Sequence, residues 1–532
     1  MSPGRMNILM ANDFRQNFRL LALSTCLSIA MFAADWPMFG RTPERNMVAA
    51  ETGLPDHFVP GKPAGDGSRT IDLAGAENVA WAIRLGSQTF GMPTVAAGRL
   101  LVGTARMRGD PRYSGDRGEV LCLDASTGRE QWRLSMHRQP NHTNLPGGAR
   151  GNMPIGVCTS ATLRSDRAWV GDWRCNLLCL DLKGQADGNA GPFTDEAAYC
   201  AAPGKPPAAL TAADGDIVWR YDITAELGIL VHDAMAAGPV LLGNRLWCIT
   251  GNGVSHPNHG PCTLPDAPSI IVLDAETGKP IARDHAGIGR HVLHGDWSTP
   301  ASGVIAGRQL VVHGGGDGVC HAFDAEPVPA ADGGLGSLAE RWRFDCNRGV
   351  TIPYKKSAEG PSEIIASPVI HGDRVYVAIG QDWSAGRGRG GLFCIDGTQT
   401  GDIVKPVWQY LAIARSLGTP SIADGLLYIA DLEGRLHCLD AATGTPVWVE
   451  DLGQPVYGST LVADGKLYVV GSRGRVFIYA AGREPRRLCQ VDLKDQACSG
   501  PIAANGMVYI ATSTMLYALK AGVRAPDSGH QR

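Results

Sequence analysis

The sequence lacks the features that would assign a function most directly. Neither charge is in excess, because 49 Lys and Arg residues face 52 Asp and Glu residues among 532 positions. A chain without a basic stripe gives no electrostatic reason to expect a nucleic-acid partner. No P-loop, G-x-S-x-G or H-E-x-x-H pattern lies in a supporting context, and there is neither an adjacent cysteine pair nor a C-x-x-C-H haem motif.

Long hydrophobic runs are also scarce. The one long apolar stretch, Leu20 to Ala34, follows Arg15 and Arg19 and is too short to favour a membrane span. Residues 1–34 are therefore predicted to be a secretory signal peptide, and the mature chain is expected in the periplasm or outside the cell without a transmembrane segment. Leu23 to Cys26 resembles a lipoprotein box only in part, so lipid anchoring is not expected.

What the sequence does contain is a repeat of about 40 residues. Residues 419–448 divide into four short β-branched or aromatic runs, separated by turns rich in Gly and Asp. The turn D-A-x-T-G begins at Asp124, Asp274 and Asp440, and Trp132 and Trp448 follow the first and last of these by eight residues. Four strands in each repeat of this length are typical of a β-propeller blade.

The repeats predict an all-β, eight-bladed propeller over residues 78–520. Residues 78–85 supply one strand and residues 499–520 supply three, so the chain ends are expected to complete one blade and close the ring. Residues 35–77, called the leading segment below, are predicted to lie outside the blades, and residues 521–532 to form a disordered tail. Insertions at 183–216 and 255–268 are not needed by the scaffold, which makes them candidates for function.

The cysteines follow the same repeat. Fourteen cysteines in an exported chain would ordinarily suggest disulfides. Cys200 and Cys262 lie in the insertions and are the better candidates for such a bond. Four others each lie two residues before a turn Asp, in the register of an inward side chain, and are expected to be buried thiols: Cys122, Cys179, Cys394 and Cys438.

These motifs give the chain a family resemblance. The D-A-x-T-G-x-x-x-W turns, the split closing blade and the segments DWPMFGRTPER (35–45) and HVLHGDWSTPA (291–301) resemble the quinoprotein-like, or PQQ-binding-like, propellers of an exported bacterial branch. The resemblance implies the fold but no single function. Alcohol dehydrogenases of this kind hold PQQ and Ca²⁺ on the axis with an Asp base, whereas the outer-membrane assembly scaffold uses the fold without a cofactor. The vicinal disulfide and the haem domain found among the dehydrogenases are absent here.

The candidate site residues precede the innermost strand of each blade, where they are expected to ring one mouth of the central channel. An aromatic face with a few polar groups suits a planar anionic ligand. Their candidate roles are Asp233 or His232 as base, Trp297 for stacking, Arg415 for a carboxylate, His294 and Tyr457 for further cofactor contacts, and Asp296 and Glu363 for Ca²⁺. The alternative is that these side chains only line a water-filled channel.

A second candidate site lies in the insertion at 255–268. His256 and His259 are potential ligands of a transition metal or else solvated loop residues. For the whole chain we expect an exported, monomeric binding or interaction module that holds a small ligand or a protein partner at the channel mouth. The alternative is a PQQ- and Ca²⁺-dependent alcohol or sugar dehydrogenase, and the sequence alone leaves open whether the protein is an enzyme.

Overall fold

The computed structural model contains eight sheets built on four antiparallel strands each, as the repeat predicts. The structure describes residues 35–63, 71–107, 110, 112, 115–137, 155–255, 259–383 and 386–524. The predicted signal peptide and most of the predicted tail lie outside these residues. Within the described ranges no helix is both long enough and apolar enough to cross a membrane.

The eight blades follow one another in chain order, and only the last combines the two ends of the chain. Blade one consists of Thr94–Ala96, Arg99–Ala105, Arg117–Asp124 and Glu130–His137, and blade two of Thr162–Arg164, Arg167–Gly171, Asn176–Asp181 and Asp216–Asp222. Blade three consists of Val240–Leu242, Arg245–Ile249, Ile270–Asp274 and Pro280–Arg283, and blade four of Ala301–Ile305, Arg308–Gly314, Val319–Asp324 and Glu340–Asp345. Blade five consists of Val369–His371, Arg374–Ile379, Gly391–Asp396 and Trp408–Tyr410, and blade six of Ser421–Ala423, Leu426–Ala430, Arg435–Asp440 and Pro446–Asp451. Blade seven consists of Leu461–Ala463, Lys466–Val470, Arg475–Ala480 and Arg487–Asp492, and blade eight of Ile502–Ala504, Met507–Ala511, Met515–Arg524 and Glu77–Arg84.

The remaining elements are short. They are the strands Val48–Ala49, Lys62–Pro63, Ile71–Asp72, Val254–Ser255, Gly260–Cys262, Gly336–Ser337 and Gly401–Asp402, the α-helices Glu196–Cys200 and Ile223–Leu227, and the 3₁₀ turns Gly184–Asp187 and Ile288–Arg290. Both helices belong to blade two or to its connection with blade three, so the propeller itself is all-β.

Two kinds of turn account for the regularity of the blades. The first hairpin of blade six turns at Asp424 and Gly425, whose φ angles are 50° and 73°. Two consecutive positive φ angles are typical of the type I′ turn, which matches the twist of a two-residue hairpin. The D-A-x-T-G turn is fixed by its Asp, because the carboxylate of Asp440 accepts bonds from the N–H groups of Ala442 and Thr443 at 3.2 and 3.1 Å.

In six of the eight blades a Trp of the fourth strand joins the blade to the next one. The indole N–H of Trp408 in blade five donates to the carbonyl of Ala441 in the turn of blade six, at 3.1 Å. The indole of Trp81 in blade eight donates in the same way to Ala125 of blade one, also at 3.1 Å. Further blade-to-blade bonds of this type are Trp132 to Leu182, Trp219 to Ala275, Trp342 to Gly397 and Trp448 to Gly482. The motif therefore docks blades and is no sign of a cofactor.

The closing blade confirms the predicted split. Glu77–Arg84 pairs with Met515–Arg524, the last strand of the described chain. That strand extends four residues into the segment predicted as a tail, and Arg524 forms an ion pair with Glu77 at 3.2 Å. Pairing the two chain ends removes the open sheet edges that an unclosed array would expose.

The innermost strands are tied together by serine and threonine side chains. Thr419 Oγ1 accepts the backbone N–H of Ser367 at 3.0 Å, and the N–H of Thr419 donates to Ser459 Oγ at 3.0 Å. Met92 and Gly238 donate to hydroxyls of the following blade in the same way, at Ser160 and Thr299. First strands of successive blades also contact one another directly, which identifies them as the inner ring.

The leading segment is not a blade, but it lies against the inner ring instead of apart from it. Backbone atoms of Trp36 pair with Val95 of blade one, and Val48–Ala49 pairs in parallel with Val462 and Ala463 of blade seven. Between these points the segment bonds to four other blades, through Pro37 to Leu163, Pro43 to Ser302, Glu44 to Ile370 and Asn46 to Ile422. All of these contacts are made along the first strands themselves.

The disulfide expectation is wrong. All thirteen cysteines among the described residues are free thiols. Cys200 is buried in an apolar cluster with Trp132, where burial raises the pKa of its thiol to about 12, and the Cys262 thiol donates to Asn252 Oδ1 at 3.3 Å. The four cysteines of the repeat register are at most 1% exposed, as predicted.

Candidate ligand site at the channel mouth

The predicted site residues lie before the first strands of blades three to seven. His232 and Asp233 precede Val240–Leu242, and His294 precedes Ala301–Ile305. First strands contact one another between blades one and two, four and five, six and seven, and seven and eight, so we infer that the segments leading into the first strands approach one end of the channel. The leading segment contacts the first strands themselves, whereas the predicted site residues precede those strands. The leading segment and the predicted site residues therefore occupy different levels of the channel.

Three histidines meet at this end. One ligand atom from each of His232, His259 and His294 can be chosen so that all three lie within 4.8 Å of one another. The ring centroids are 4.6 Å apart for His232 and His294, 5.2 Å for His232 and His259, and 5.1 Å for His259 and His294. We call these residues the histidine group. His232 and His294 are fully buried, whereas His259 is exposed.

The orientation of His232 is fixed by the backbone around it. Its Nδ1 lies 2.7 Å from the carbonyl oxygen of Val254, and an oxygen there requires Nδ1 to carry the proton, which leaves the lone pair on Nε2. Nε2 lies 3.8 Å from a carboxylate oxygen of Asp233, a residue held at φ 58°. Trp297 donates its indole N–H to the His232 carbonyl at 3.2 Å.

His294 lies between Trp297 and Glu363. The Trp297 ring meets it edge-on, with 5.1 Å between centroids, and Glu363 Oε1 lies 3.8 Å from Nδ1. Neither ring nitrogen of His294 has a hydrogen-bond partner among the residues that the structure describes. Buried polar groups without partners are rare in folded proteins and call for an explanation.

Glu363 is a fully buried carboxylate with one satisfied oxygen. Its Oε1 accepts the Tyr354 hydroxyl at 3.2 Å and the Asp382 N–H at 2.9 Å, whereas Oε2 has no hydrogen-bond partner in the described ranges. Burial and the neighbouring Glu363 carboxylate raise the pKa of Tyr354. The phenol therefore stays protonated and keeps donating to Glu363.

Asp296 is held by two residues of blade four or its turn. Its Oδ1 accepts from His313 Nε2 at 2.9 Å and from the Gly316 N–H at 3.1 Å. Its Oδ2 is buried and has no hydrogen-bond partner in the described part of the chain. Asp296 is thus hydrogen-bonded to blade four. Its role as a Ca²⁺ ligand stays a prediction.

Arg415 and Tyr457 flank a loop next to Glu363. The Arg415 guanidinium donates to the carbonyls of Asp382, at 3.4 Å, and of Gly386. The Tyr457 ring lies 6.2 Å from that of Trp383 at an interplanar angle of 30°, and burial raises the pKa of its hydroxyl. Through Asp382 this loop contacts Glu363, so both residues border the same mouth, and their cofactor roles stay predictions.

The sequence singled out His256 and His259 of one insertion as potential metal ligands. His256 lies outside the described residues, so that pairing stays a prediction. The structure brings His259 together with His232 and His294 from separate segments. The bonds by which His313 and Tyr354 hold Asp296 and Glu363 were not predicted. Seven histidines between positions 256 and 321 were the only signal in the sequence.

The residues at the mouth do not fit Ca²⁺ with PQQ. Ca²⁺ takes six to eight oxygen ligands, whereas the group of three potential ligands found among the described residues consists of imidazoles. The ring expected to stack on a quinone, Trp297, is packed against His232 and His294, and Arg415 is engaged by backbone carbonyls. We therefore derive no reaction step through calcium or a quinone.

The fold and the repeats define a class, the eight-bladed PQQ-like propellers. The sequence profile described as "Outer membrane protein assembly factor BamB" matches residues 73–190, 116–327 and 405–495, which together are more than half of the chain. The protein belongs to this family. A comparison with curated protein sequences found no match.

Solved structures agree on the fold. The chain is similar to BamB from Moraxella catarrhalis, with 14% identity, a TM-score of 0.50, and coverage of 84% of this chain and 98% of that one. It is similar to the quinohemoprotein alcohol dehydrogenase from Comamonas testosteroni, with 14% identity, a TM-score of 0.57 and coverage of 93% and 82%. For a europium-containing methanol dehydrogenase the identity is 12%, the TM-score 0.58 and both coverages 90%. At these identities the likeness concerns the fold alone.

Proposed function

We propose that this protein is an exported binding and interaction module that holds a small ligand at the mouth of its propeller channel. The observation that carries the proposal is the pair His294 and Glu363. Both are fully buried at the mouth, and three of their polar atoms lack hydrogen-bond partners within the described residues. Since buried polar groups are costly without partners, a bound ligand is expected to complete them.

The dehydrogenase alternative is not favoured. The grouped donors are imidazoles rather than carboxylates, and the sequence has no adjacent cysteine pair. The leading segment runs along the inner strands, so a ligand would reach the buried groups from the mouth. This arrangement supports binding at one open end of the channel.

A protein partner is part of the same proposal. Trp383 is 47% exposed beside Tyr457 at the mouth, and exposed aromatic residues are common anchors in interfaces. The family description, an outer-membrane protein assembly factor, supports a protein partner and a place in the cell envelope.

Export itself has a direct test. The mature protein, isolated from the periplasmic fraction of its own cells, should begin at or near Asp35, as a signal peptide over residues 1–34 predicts. N-terminal sequencing together with the intact mass checks this. A protein recovered from the cytoplasm with Met1 or its immediate neighbour intact would contradict export.

The binding role is tested by removing the buried polar groups. Because binding sites are commonly built at a cost in stability, His294→Phe and Glu363→Gln should melt at the same temperature as the native protein or higher. The native protein should also fail to reduce a dye with alcohols or aldoses when PQQ and Ca²⁺ are added.

Two results would overturn the proposal. A drop of several degrees in both variants would mean that these groups serve the fold. A joint rise in melting temperature with PQQ and Ca²⁺, accompanied by dye reduction and lost in an Asp296→Ala, Glu363→Ala double variant, would establish the dehydrogenase instead. A ligand at 100 times its Kd stabilises by about 2.7 kcal/mol, which melting experiments detect easily.

A further inference from the structure

We propose that the histidine group, His232, His259 and His294, binds one divalent transition metal ion at the channel mouth. The inference deepens the proposed function and rests on it, because the ion would be the ligand held there. It differs from the calcium that the fold would suggest in its donor atoms, its position and its chemical class.

The geometry is close to that of a bound ion. The three ligand atoms lie within 4.8 Å of one another, whereas nitrogens bound to one tetrahedral ion at about 2.1 Å are about 3.4 Å apart. To bind one ion, the three imidazole rings would have to move slightly closer to a common point. His259 is exposed and directly precedes the strand Gly260–Cys262, so its side chain has room to make that movement.

The hydrogen bond of the buried His232 suits a metal ligand. The bond between His232 Nδ1 and the Val254 carbonyl, 2.7 Å long, puts the ring proton on Nδ1 and the lone pair, through which a histidine ligates a metal, on Nε2. Metal-bound histidines commonly donate their second ring N–H to a carbonyl or a carboxylate in this way, which fixes the ring. The backbone thus supplies His232 with the outer partner that a metal ligand requires.

His294 offers the same arrangement with a carboxylate. Its Nδ1 lies 3.8 Å from Glu363 Oε1, and neither of its ring nitrogens has a hydrogen-bond partner in the described ranges. Coordination through Nε2 would satisfy one nitrogen, and a slight shift of the ring would let Nδ1–H donate to Glu363. Both ring nitrogens of His294 would then have a partner.

The donor set selects the class of metal. Imidazole nitrogens suit Zn²⁺, Cu²⁺ and Ni²⁺, whereas Ca²⁺ and Mg²⁺ prefer oxygen. Three protein ligands leave a fourth position open on a tetrahedral ion. That position would face the mouth, where an anionic group of a small ligand or of a partner protein could complete the coordination.

The test uses the mature full-length chain, purified without a histidine tag and stripped with a chelator. Titration with Zn²⁺ by calorimetry should show one equivalent bound and a raised melting temperature, and Ca²⁺ should do neither. Co²⁺ should give the visible absorption of a four-coordinate site. His259→Ala should weaken Zn²⁺ binding at least tenfold without lowering the melting temperature of the metal-free protein, since His259 is exposed.

His291→Ala is the matched control, because His291 is exposed on the loop that leads to His294 but lies outside the histidine group; its Zn²⁺ affinity should be unchanged. Zn²⁺ binding of equal strength in the native protein and in His259→Ala would overturn the inference, as would the absence of binding at about 100 µM Zn²⁺, well above the affinities of structural zinc sites. If the native protein does not bind Zn²⁺ while His294→Phe and Glu363→Gln keep the stability of the native protein, the metal proposal is refuted and the proposed binding function is retained. A loss of stability in those two variants removes both.

Discussion

At the scale of single residues, His321 is the clearest candidate for a pH-dependent contribution to stability. Its ring is buried in blade four, with Nδ1 2.6 Å from Glu340 Oε1 and Nε2 3.3 Å from Asp317 Oδ2. Although burial opposes protonation, the two carboxylates raise the pKa of His321 to about 10. An ordinary histidine titrates near 6.5, so the folded protein holds a proton here that the unfolded chain releases between these values.

The sign of the effect follows from that difference. Stability from the protonated ring is fully present below about pH 6.5 and is lost as the pH rises through about 10. In the native protein the free energy of unfolding should fall by up to about 1.4 kcal/mol per pH unit within this window. Urea unfolding from pH 6 to 10 measures it. His321→Gln should remove the slope and His285→Gln, an exposed histidine, should keep it; equal slopes in all three proteins would refute the assignment.

Residue chemistry at the mouth was only partly predictable from the sequence. The repeat register placed His232, His294, Trp297 and Glu363 at one end of the channel, because each precedes an inner strand. The sequence could not show that His259 joins them, since its position depends on a hairpin in an insertion that follows no repeat. Side-chain partners such as His313 of Asp296 depend on packing between strands, which spacing alone does not encode.

At the scale of elements, the docking of Trp on the D-A-x-T-G turn makes a sharp prediction. A Cβ at Gly444 would lie 2.5 Å from Trp408 Cε3, whereas one at Gly425 would meet nothing within 4 Å. The two glycines have nearly the same φ, 72° and 73°, so Ala at either position bears the same left-handed backbone cost of about 1–2 kcal/mol. Gly444→Ala should lose about 1–3 kcal/mol more, because the indole must move.

Urea unfolding of the two variants beside the native protein measures this difference. Equal losses of stability would mean that the Trp contact yields easily and contributes little to the docking of blades five and six. A larger loss in Gly444→Ala would assign the glycine of the motif to close packing rather than to the turn alone.

The blades were predictable because what defines them is local. The first hairpin of each blade turns at one or two residues with a positive φ angle, and each D-A-x-T-G turn is fixed by one carboxylate. Even the closing blade could be inferred, since three strands at one end and one at the other complete a single unit. The disulfide expectation failed for the opposite reason, because insertions follow no repeat and the surroundings of Cys200 and Cys262 could not be read from spacing.

At the scale of the whole molecule, the leading segment joins blades that are far apart in the chain. It bonds to the inner strands of blades one, two, four, five, six and seven, and the Arg45 side chain adds contacts to Pro239 and Pro300, before blades three and four. The composition of the segment gave no sign of this path, because backbone contacts of this kind leave no pattern in the sequence. A segment shared by so many blades should make the ring unfold as one cooperative unit.

Arg45 carries the strongest test of that role. Its guanidinium is fully buried and donates to the carbonyls of Phe39, Pro239 and Pro300, and burial lowers its pKa to about 9, so it stays charged at neutral pH. Arg45→Met would leave these carbonyls without their donor, at an expected loss of about 3 kcal/mol. Arg41→Met, at another positive-φ arginine of the segment that is partly exposed, should cost under about 0.5 kcal/mol.

Both variants should unfold in urea in one transition with the slope of the native protein, because the ring still melts as a unit. A second transition in Arg45→Met would instead show that the segment detaches while the blades remain folded. Equal midpoints for the two variants would mean that the buried guanidinium does not hold the segment to the ring. A single transition at a lower midpoint would identify the leading segment as an integral part of the propeller core, with the mouth left as the end of the channel at which a ligand is bound.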